Sequence, residues 1–146
     1  MFMGEFHHTI DSKGRLIIPA KFRQQLGADF VLTRGMDGCL FGYPRTQWQL
    51  LEDKLQQLPL TQRSARLFIR FFYAAAVECQ FDKQGRVNLT AALVDYAQLT
   101  DQCVVAGVGT RIEIWNTTKW SQMNQEIAVN FEQISEELQD LGDFNL

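Results

Sequence analysis

Asp11-Ser12-Lys13-Gly14-Arg15-Leu16-Ile17-Ile18 decides how this chain is read, because Asp82-Lys83-Gln84-Gly85-Arg86-Val87-Asn88-Leu89 repeats it 71 positions later. Asp, Gly and Arg coincide in the two copies. After one inserted residue the correspondence resumes, placing Asp29 on Asp101, Leu32 on Val104, Gly35 on Gly107 and Leu40 on Ile112. It continues with Tyr43 on Trp115, Thr46 on Thr118 and Trp48 on Trp120. A register this long marks an internal duplication.

Each copy has local structure that follows from its chemistry. Glu5–Ile10 and Val77–Phe81 read as short strands, and Asp-x-x-Gly supplies a turn whose glycine takes the positive φ that a Cβ would oppose. The next strand begins at Arg15 or Arg86. A short helix follows in both, opened by Pro19 and stopped by Gly27 in the first copy and capped by Thr90 in the second. Two further strands are predicted in each, Phe30–Arg34 with Cys39–Tyr43, and Cys103–Gly107 with Arg111–Trp115. Helices then run from about Thr46 to Leu58 and from about Thr118 onward. After the break at Pro59, Gln62–Ala75 reads as a linking helix with Leu67, Phe68, Phe71 and Phe72 on its apolar side. A copy of roughly 45 residues buries too little to stand comfortably alone, so two copies are expected to complete a shared barrel. The expected class is α+β, divided as 5–48, first unit; 49–75, linking helices; 77–120, second unit; and 121–146, C-terminal amphipathic helix and tail.

The 146 residues, 46% of them hydrophobic, can build a real core. A net charge of −3 argues against a polyanion partner only if charge is spread evenly, and it is not. Residues 1–74 carry ten Lys/Arg against six acids, whereas residues 75–146 carry four against eleven. A nucleic acid would therefore meet the first half.

An arginine just after a glycine turn projects from a hairpin tip, where its planar fork suits a phosphate or the O6/N7 edge of guanine. In the first copy Lys13, Lys21 and Arg23 are expected to cluster around Arg15. The second keeps Lys83 and Arg86 but has Ala92 and Val94 where the first has Lys21 and Arg23. The first copy is therefore expected to dominate contact with DNA. The competing account makes the same turn purely structural, with Asp capping it and Arg salt-bridged to a neighbouring carboxylate. Duplication together with the charge split favours the DNA-binding account.

Other features carry less. Arg63, Arg66 and Arg70 share a helix face, which reads as a solvated face or as ion pairs to a neighbour more readily than as a second phosphate stripe. His7 and His8 point to opposite faces of a strand, so no metal site is expected. Cys39, Cys79 and Cys103 are odd in number and widely spaced, which indicates reduced core residues. With no nucleophile setting and no Gly-rich phosphate loop before a helix, no catalytic residue, cofactor or small-molecule substrate is expected. No segment reaches membrane-spanning length, and the expected location is cytoplasmic. From Trp120, the residues Met123, Ile127, Phe131, Ile134, Leu138 and Leu141 recur at helical steps with acids between them, giving an amphipathic helix that packs on its own barrel or on a neighbouring protomer.

With both turns in view, the chain resembles the MraZ family of bacterial regulators, built from two AbrB-like swapped-hairpin units. The stretches that carry the resemblance are Met1-Phe2-Met3-Gly4, Asp11–Arg15 through Pro19-Ala20-Lys21-Phe22-Arg23, Leu40-Phe41-Gly42-Tyr43-Pro44, and Glu78-Cys79 through Asp82–Arg86. The resemblance implies a barrel of AbrB-like swapped-hairpin type within one chain and chains assembled into a closed homo-oligomeric ring. It also implies binding of double-stranded DNA at short promoter direct repeats ahead of the division and cell-wall gene cluster, including the protein's own promoter, with nucleoid association. Family DNA binding maps here to Lys13, Gly14 and Arg15. AbrB-like barrels also occur in antitoxins, so the alternative is a protein-interaction module with the acidic tail as its partner-binding part.

Overall fold

The computed structural model describes residues 1–142. Its contacts divide the chain into two compact parts, Met1–Asn116 and the segment from Thr117 onward. The second holds one α-helix, α5 (Thr117–Asp140), with no buried residue and with Val129, Phe131 and Leu138 among its exposed apolar side chains. The last four positions of the tail lie outside the described residues.

The first part is mixed α and β, and its order repeats once. The first copy runs β1 (Phe2–Thr9), β2 (Arg15–Ile17), α1 (Ala20–Leu26), β3 (Phe30–Arg34) and β4 (Leu40–Pro44). Two helices follow, α2 (Arg45–Gln56) and α3 (Arg63–Tyr73). The second copy is β5 (Val77–Cys79), β6 (Arg86–Asn88), α4 (Ala91–Ala97), β7 (Gln102–Gly109) and β8 (Arg111–Asn116).

The copies are interleaved. β1 of the first copy pairs with β7 of the second, and β5 of the second pairs with β3 of the first, both antiparallel. β2 pairs with β6 around a local two-fold at Leu16 and Val87, and β4 pairs with β8 around another at Phe41 and Glu113. The main sheet has the order β1-β7-β8-β4-β3-β5, with β2-β6 as a separate two-stranded sheet. The closed barrel expected from the sequence is thus an open sheet, because β1 and β5 are its ends and do not pair with each other. Side chains of both copies fill one core, with Leu16, Ile18, Phe22, Leu26 and Phe30 meeting Val87, Leu89, Leu93, Ile112 and Ile114. Neither half can be withdrawn without exposing the other's apolar face.

The strand ladders correct the sequence register by one position. His8 lies opposite Cys103 in one swapped pair, and Cys79, its counterpart, lies opposite Phe30 in the other. Cys103 therefore takes the place of Phe30, and the match of Gly35 with Gly107 is a coincidence of letters. The extra residue belongs to the β3–β4 connection, which forms a 3-10 turn at Met36–Gly38 that the β7–β8 hairpin lacks.

β1 begins at Phe2, earlier than its period alone indicates, because the eight residues of β7 give it a full-length partner. Phe2 and Phe6 then pack edge-on against Phe22, at ring distances of 5.7 and 5.1 Å. α3 is tied to β3 by Thr33 Oγ1, which donates to Phe72 O at 2.6 Å, and by Arg34 Nε, which donates to Phe71 O at 2.9 Å. Its buried side runs through Ala65 and Phe72, whereas Leu67 and Phe68, placed on the apolar side from the sequence, are exposed.

Gly107 is needed for close approach of two strands. A Cβ there would sit 2.3 Å from the Met3 nitrogen, which is backbone and cannot swing aside. Gly107→Ala is expected to destabilise the protein by about 1–3 kcal/mol, the range for overpacking a tight site, read as a lower urea midpoint with faster amide exchange along β1. An unchanged midpoint would show that β1 is not clamped there.

Candidate nucleic-acid interface

Each copy of Asp-x-x-Gly-Arg folds into the same carboxylate-centred turn. Asp11 Oδ1 accepts the backbone N–H of Lys13 at 2.9 Å and of Arg15 at 3.0 Å, and Oδ2 accepts Arg15 Nε at 2.6 Å. Asp82 accepts Gln84 N–H and Arg86 N–H at 2.9 Å each, and Arg86 Nε at 2.7 Å. Gly14 and Gly85 sit at φ +77° and +74°, the left-handed region that makes glycine the fitting residue.

The turns lie side by side because β2 and β6 are paired. The Leu89 N–H donates to Gly14 O at 2.8 Å and the Ile18 N–H to Gly85 O at 3.2 Å, so each glycine carbonyl holds the strand end of the other copy. Arg86 Nη1 also comes within 3.6 Å of Asp11 Oδ2. The structural account of the turn is therefore realised: both arginines are ion-paired to their own aspartates. The pairing uses Nε, however, and a guanidinium carries four further N–H donors on its terminal nitrogens. One third of the Arg15 side chain and 21% of that of Arg86 remain exposed.

Lys13, Lys83 and Lys21 are exposed. Arg23, expected around Arg15, reaches the other turn. Its Nη1 donates to Ile18 O, and its guanidinium covers Gly85 so closely that a Cβ there would meet Arg23 Cζ at 2.6 Å. Beside the first turn the corresponding space is a groove of about 630 Å³ lined by Gly14, Leu89, Val94, Asp95 and Asp101 among others. Sequence reasoning gave the residue types but missed this exchange, because α1 crosses to the turn of the other copy. Three other arginines of the first half are spent differently. Arg34 stacks on Phe71 at 4.7 Å, Arg45 pairs with Glu78 at 3.3 Å, and Arg66 donates to Leu60 O at 2.9 Å.

The electrostatics follow this geometry. The backbone N–H of Arg15 lowers the Asp11 carboxyl below its ordinary value, helped by the Arg15 side chain and the Lys13 N–H against some desolvation. Asp82 is lowered in the same way, first by the Arg86 N–H. Burial, then the charges of Arg23 and His7, lower His8. Burial pushes up all three thiols, Cys79 to about 11 and Cys103 to about 12, so none is a ready nucleophile. Among the described residues no cluster of His, Cys, Asp or Glu is placed to hold a metal, and no helix is long and apolar enough to cross a membrane.

Groups whose folded pKa is depressed support their structure fully above the unfolded value and lose that support as pH falls through the folded one. The two turns are therefore expected to persist below the ordinary Asp range. Their amide resonances at Lys13, Arg15, Gln84 and Arg86 should shift only at more acidic pH, and in Asp11→Asn the first turn's shift should disappear. A transition at the ordinary Asp value would show that the N–H donors do not hold these carboxylates.

A family model described as "MraZ protein", with "antitoxin-like" in the same description, matches twice, over residues 1–71 and 72–142. The chain is 59% identical over 138 residues to the transcriptional regulator MraZ of Limosilactobacillus reuteri strain DSM 20016, covering 94% of this chain and 97% of the relative. It is 58% identical over 140 residues to that of Ligilactobacillus salivarius, covering 96% and 98%. It is 57% identical over 141 residues to that of Lactobacillus gasseri, covering 97% and 99%. Two matched family units and relatives more than half identical along nearly their whole length make this chain a member of the MraZ family.

Proposed function

We propose that this chain is a transcription regulator that binds double-stranded DNA in a sequence-specific way through its paired Asp-x-x-Gly-Arg turns. The observation that carries this reading is the side-by-side placement of the turns, each holding its arginine to its own aspartate by Nε, with the terminal nitrogens of Arg15 left to a partner and Nη1 of Arg86 within 3.6 Å of Asp11 Oδ2. A guanidinium held in this way is pre-organised, so little side-chain freedom is lost when it meets a guanine edge or a phosphate. Arg15, the more exposed of the two, is assigned base contact, and Lys13 with Gly14 presents the same loop. Lys21, Arg23, Lys83 and Arg86 are assigned phosphate contact. The names of the relatives support regulation of transcription.

The exchange of β1 and β5 between copies supports a swapped-hairpin kinship of AbrB type. Chains joined in a homo-oligomeric ring would present several such loops to direct repeats in a promoter, gaining effective concentration without new contacts. That fits the modest charge of one chain. We take the target to be the division and cell-wall gene cluster promoter, including the protein's own, with the protein in the cytoplasm at the nucleoid. A second reading, favoured by the antitoxin-like wording of the family description, is a protein-interaction module. A pull-down that recovers a toxin and loses it without residues 118–146 would support it over DNA binding.

Mobility shifts on the chain's own upstream region and on a scrambled duplex of the same length test the leading reading. Arg15→Ala is expected to lower affinity for the specific duplex by about 1–3 kcal/mol while leaving the scrambled one little changed. Lys21→Ala should weaken both about equally and reduce the slope against log salt by about one. Wild-type affinity and discrimination in Arg15→Ala would end the assignment.

A further inference from the structure

The two turns share one hydrogen-bond pattern but not one surrounding. Arg23, on α1 of the first copy, lies against Gly85, the residue immediately before Arg86 in the second. Among the described residues Arg23 makes no ion pair, and its guanidinium donates to the Ile18 carbonyl. The nearby turn adds Arg86 and the exposed Lys83, set against Asp82 and, 3.6 Å from Arg86 Nη1, the carboxylate of Asp11. Asp29, at the end of α1's connection to β3, is engaged by Gln80 Nε2 at 2.8 Å. A half-buried guanidinium laid on the glycine that precedes Arg86, without a carboxylate of its own, is a group short of an anion.

The first turn has the opposite setting. α4, which occupies the matching place, carries Val94 where α1 carries Arg23. The groove left there is lined by Asp11, Asp95 and Asp101, with Lys13 as its cation. Phosphate would be repelled from that flank and drawn to the other.

Building on the DNA-binding reading above, we propose that Arg23 of the first copy and Lys83 with Arg86 of the second form one composite phosphate clamp. The second turn grips the DNA backbone, and the first leaves Arg15 to read bases. The sequence places Arg23 eight residues after Arg15, but the fold sets it against Gly85, next to Arg86 in the other turn. The ligand is the phosphodiester group of a duplex. Because this chemistry is independent of base sequence, the clamp contributes equally to any duplex.

A double-mutant cycle on the full chain tests this, using the upstream-region duplex and the scrambled duplex at two salt concentrations. Arg23→Ala and Arg86→Ala are each expected to weaken both duplexes by a similar factor. Together they should lose less than the product of their separate effects, with a coupling of about threefold or more. Arg23→Ala with Arg15→Ala should be multiplicative. Arg23→Lys should keep most affinity, separating loss of charge from loss of packing, and thermal unfolding of every variant identifies any that owe their defect to instability. As an independent probe, Val94→Arg adds a cation to the first turn's flank and should raise affinity for both duplexes, with coupling to Arg15→Ala rather than to Arg86→Ala.

Coupling of Arg23 to Arg15 in place of Arg86, or selective loss on the specific duplex in Arg23→Ala, would overturn the composite clamp while leaving the regulator reading in place. Unchanged affinity for both duplexes in the Arg15, Arg23 and Arg86 variants alike would remove the DNA-binding reading itself.

Discussion

Everything at the candidate interface depends on two carboxylates each collecting three N–H donors. Asp11 and Asp82 take two backbone amides and one guanidinium N–H apiece, at distances that agree between the copies to about a tenth of an ångström. A carboxylate so filled has little left to offer a ligand. Its work is to set the turn, seat the glycine at positive φ and hold the following arginine by its inner nitrogen. The turn is a structural motif, and under the proposed function the arginine it holds is the recognition group. The two accounts posed by the sequence are compatible in this geometry, since Nε serves the ion pair and terminal nitrogens remain for the proposed contact.

The fold pairs these turns. The reciprocal bonds from Leu89 to Gly14 and from Ile18 to Gly85 lock one turn against the other, and the exchanged strands β1 and β5 carry each copy's edge into its neighbour's ladder. One apolar core shared by both copies completes the arrangement. A single copy would have neither a partner for its outer strand nor a cover for Leu16 or Val87, both essentially inaccessible in the whole chain. Tandem duplication is therefore a condition of stability here, beyond any advantage of having two contact points.

The repeat, the turns, nearly every strand and helix, and the arginines were legible in the letters, because Asp-x-x-Gly-Arg combines a distinctive spacing with a backbone demand that few residues meet. What escaped was set by tertiary pairing. The Gly35 and Gly107 match misplaced β7 by one residue, since identity of letters outweighed a missing turn residue that only the ladder reveals. α4 ends at Gln98, which adopts φ +53° where the first copy has Gly27, so no glycine announced the stop. Leu67 and Phe68 follow helical periodicity yet face outward, because Thr33 and Arg34 anchor α3 through Phe72 and Phe71. The destination of Arg23 could not be read from a linear alignment, since proximity along the chain points to the wrong turn.

Placing both copies on one polypeptide has a consequence for divergence. An assembly of two identical chains related by a two-fold axis must carry every substitution at both equivalent places, so an arginine gained on one flank is gained on the other. Covalent fusion lifts that obligation. Arg23 and Val94 occupy matching positions and differ, as do Gln24 and Asp95, while the reciprocal hydrogen bonds from Leu89 to Gly14 and from Ile18 to Gly85 stay intact. The framework has kept its axis and its surface has lost it, so the two flanks of an otherwise two-faced module are chemically unlike.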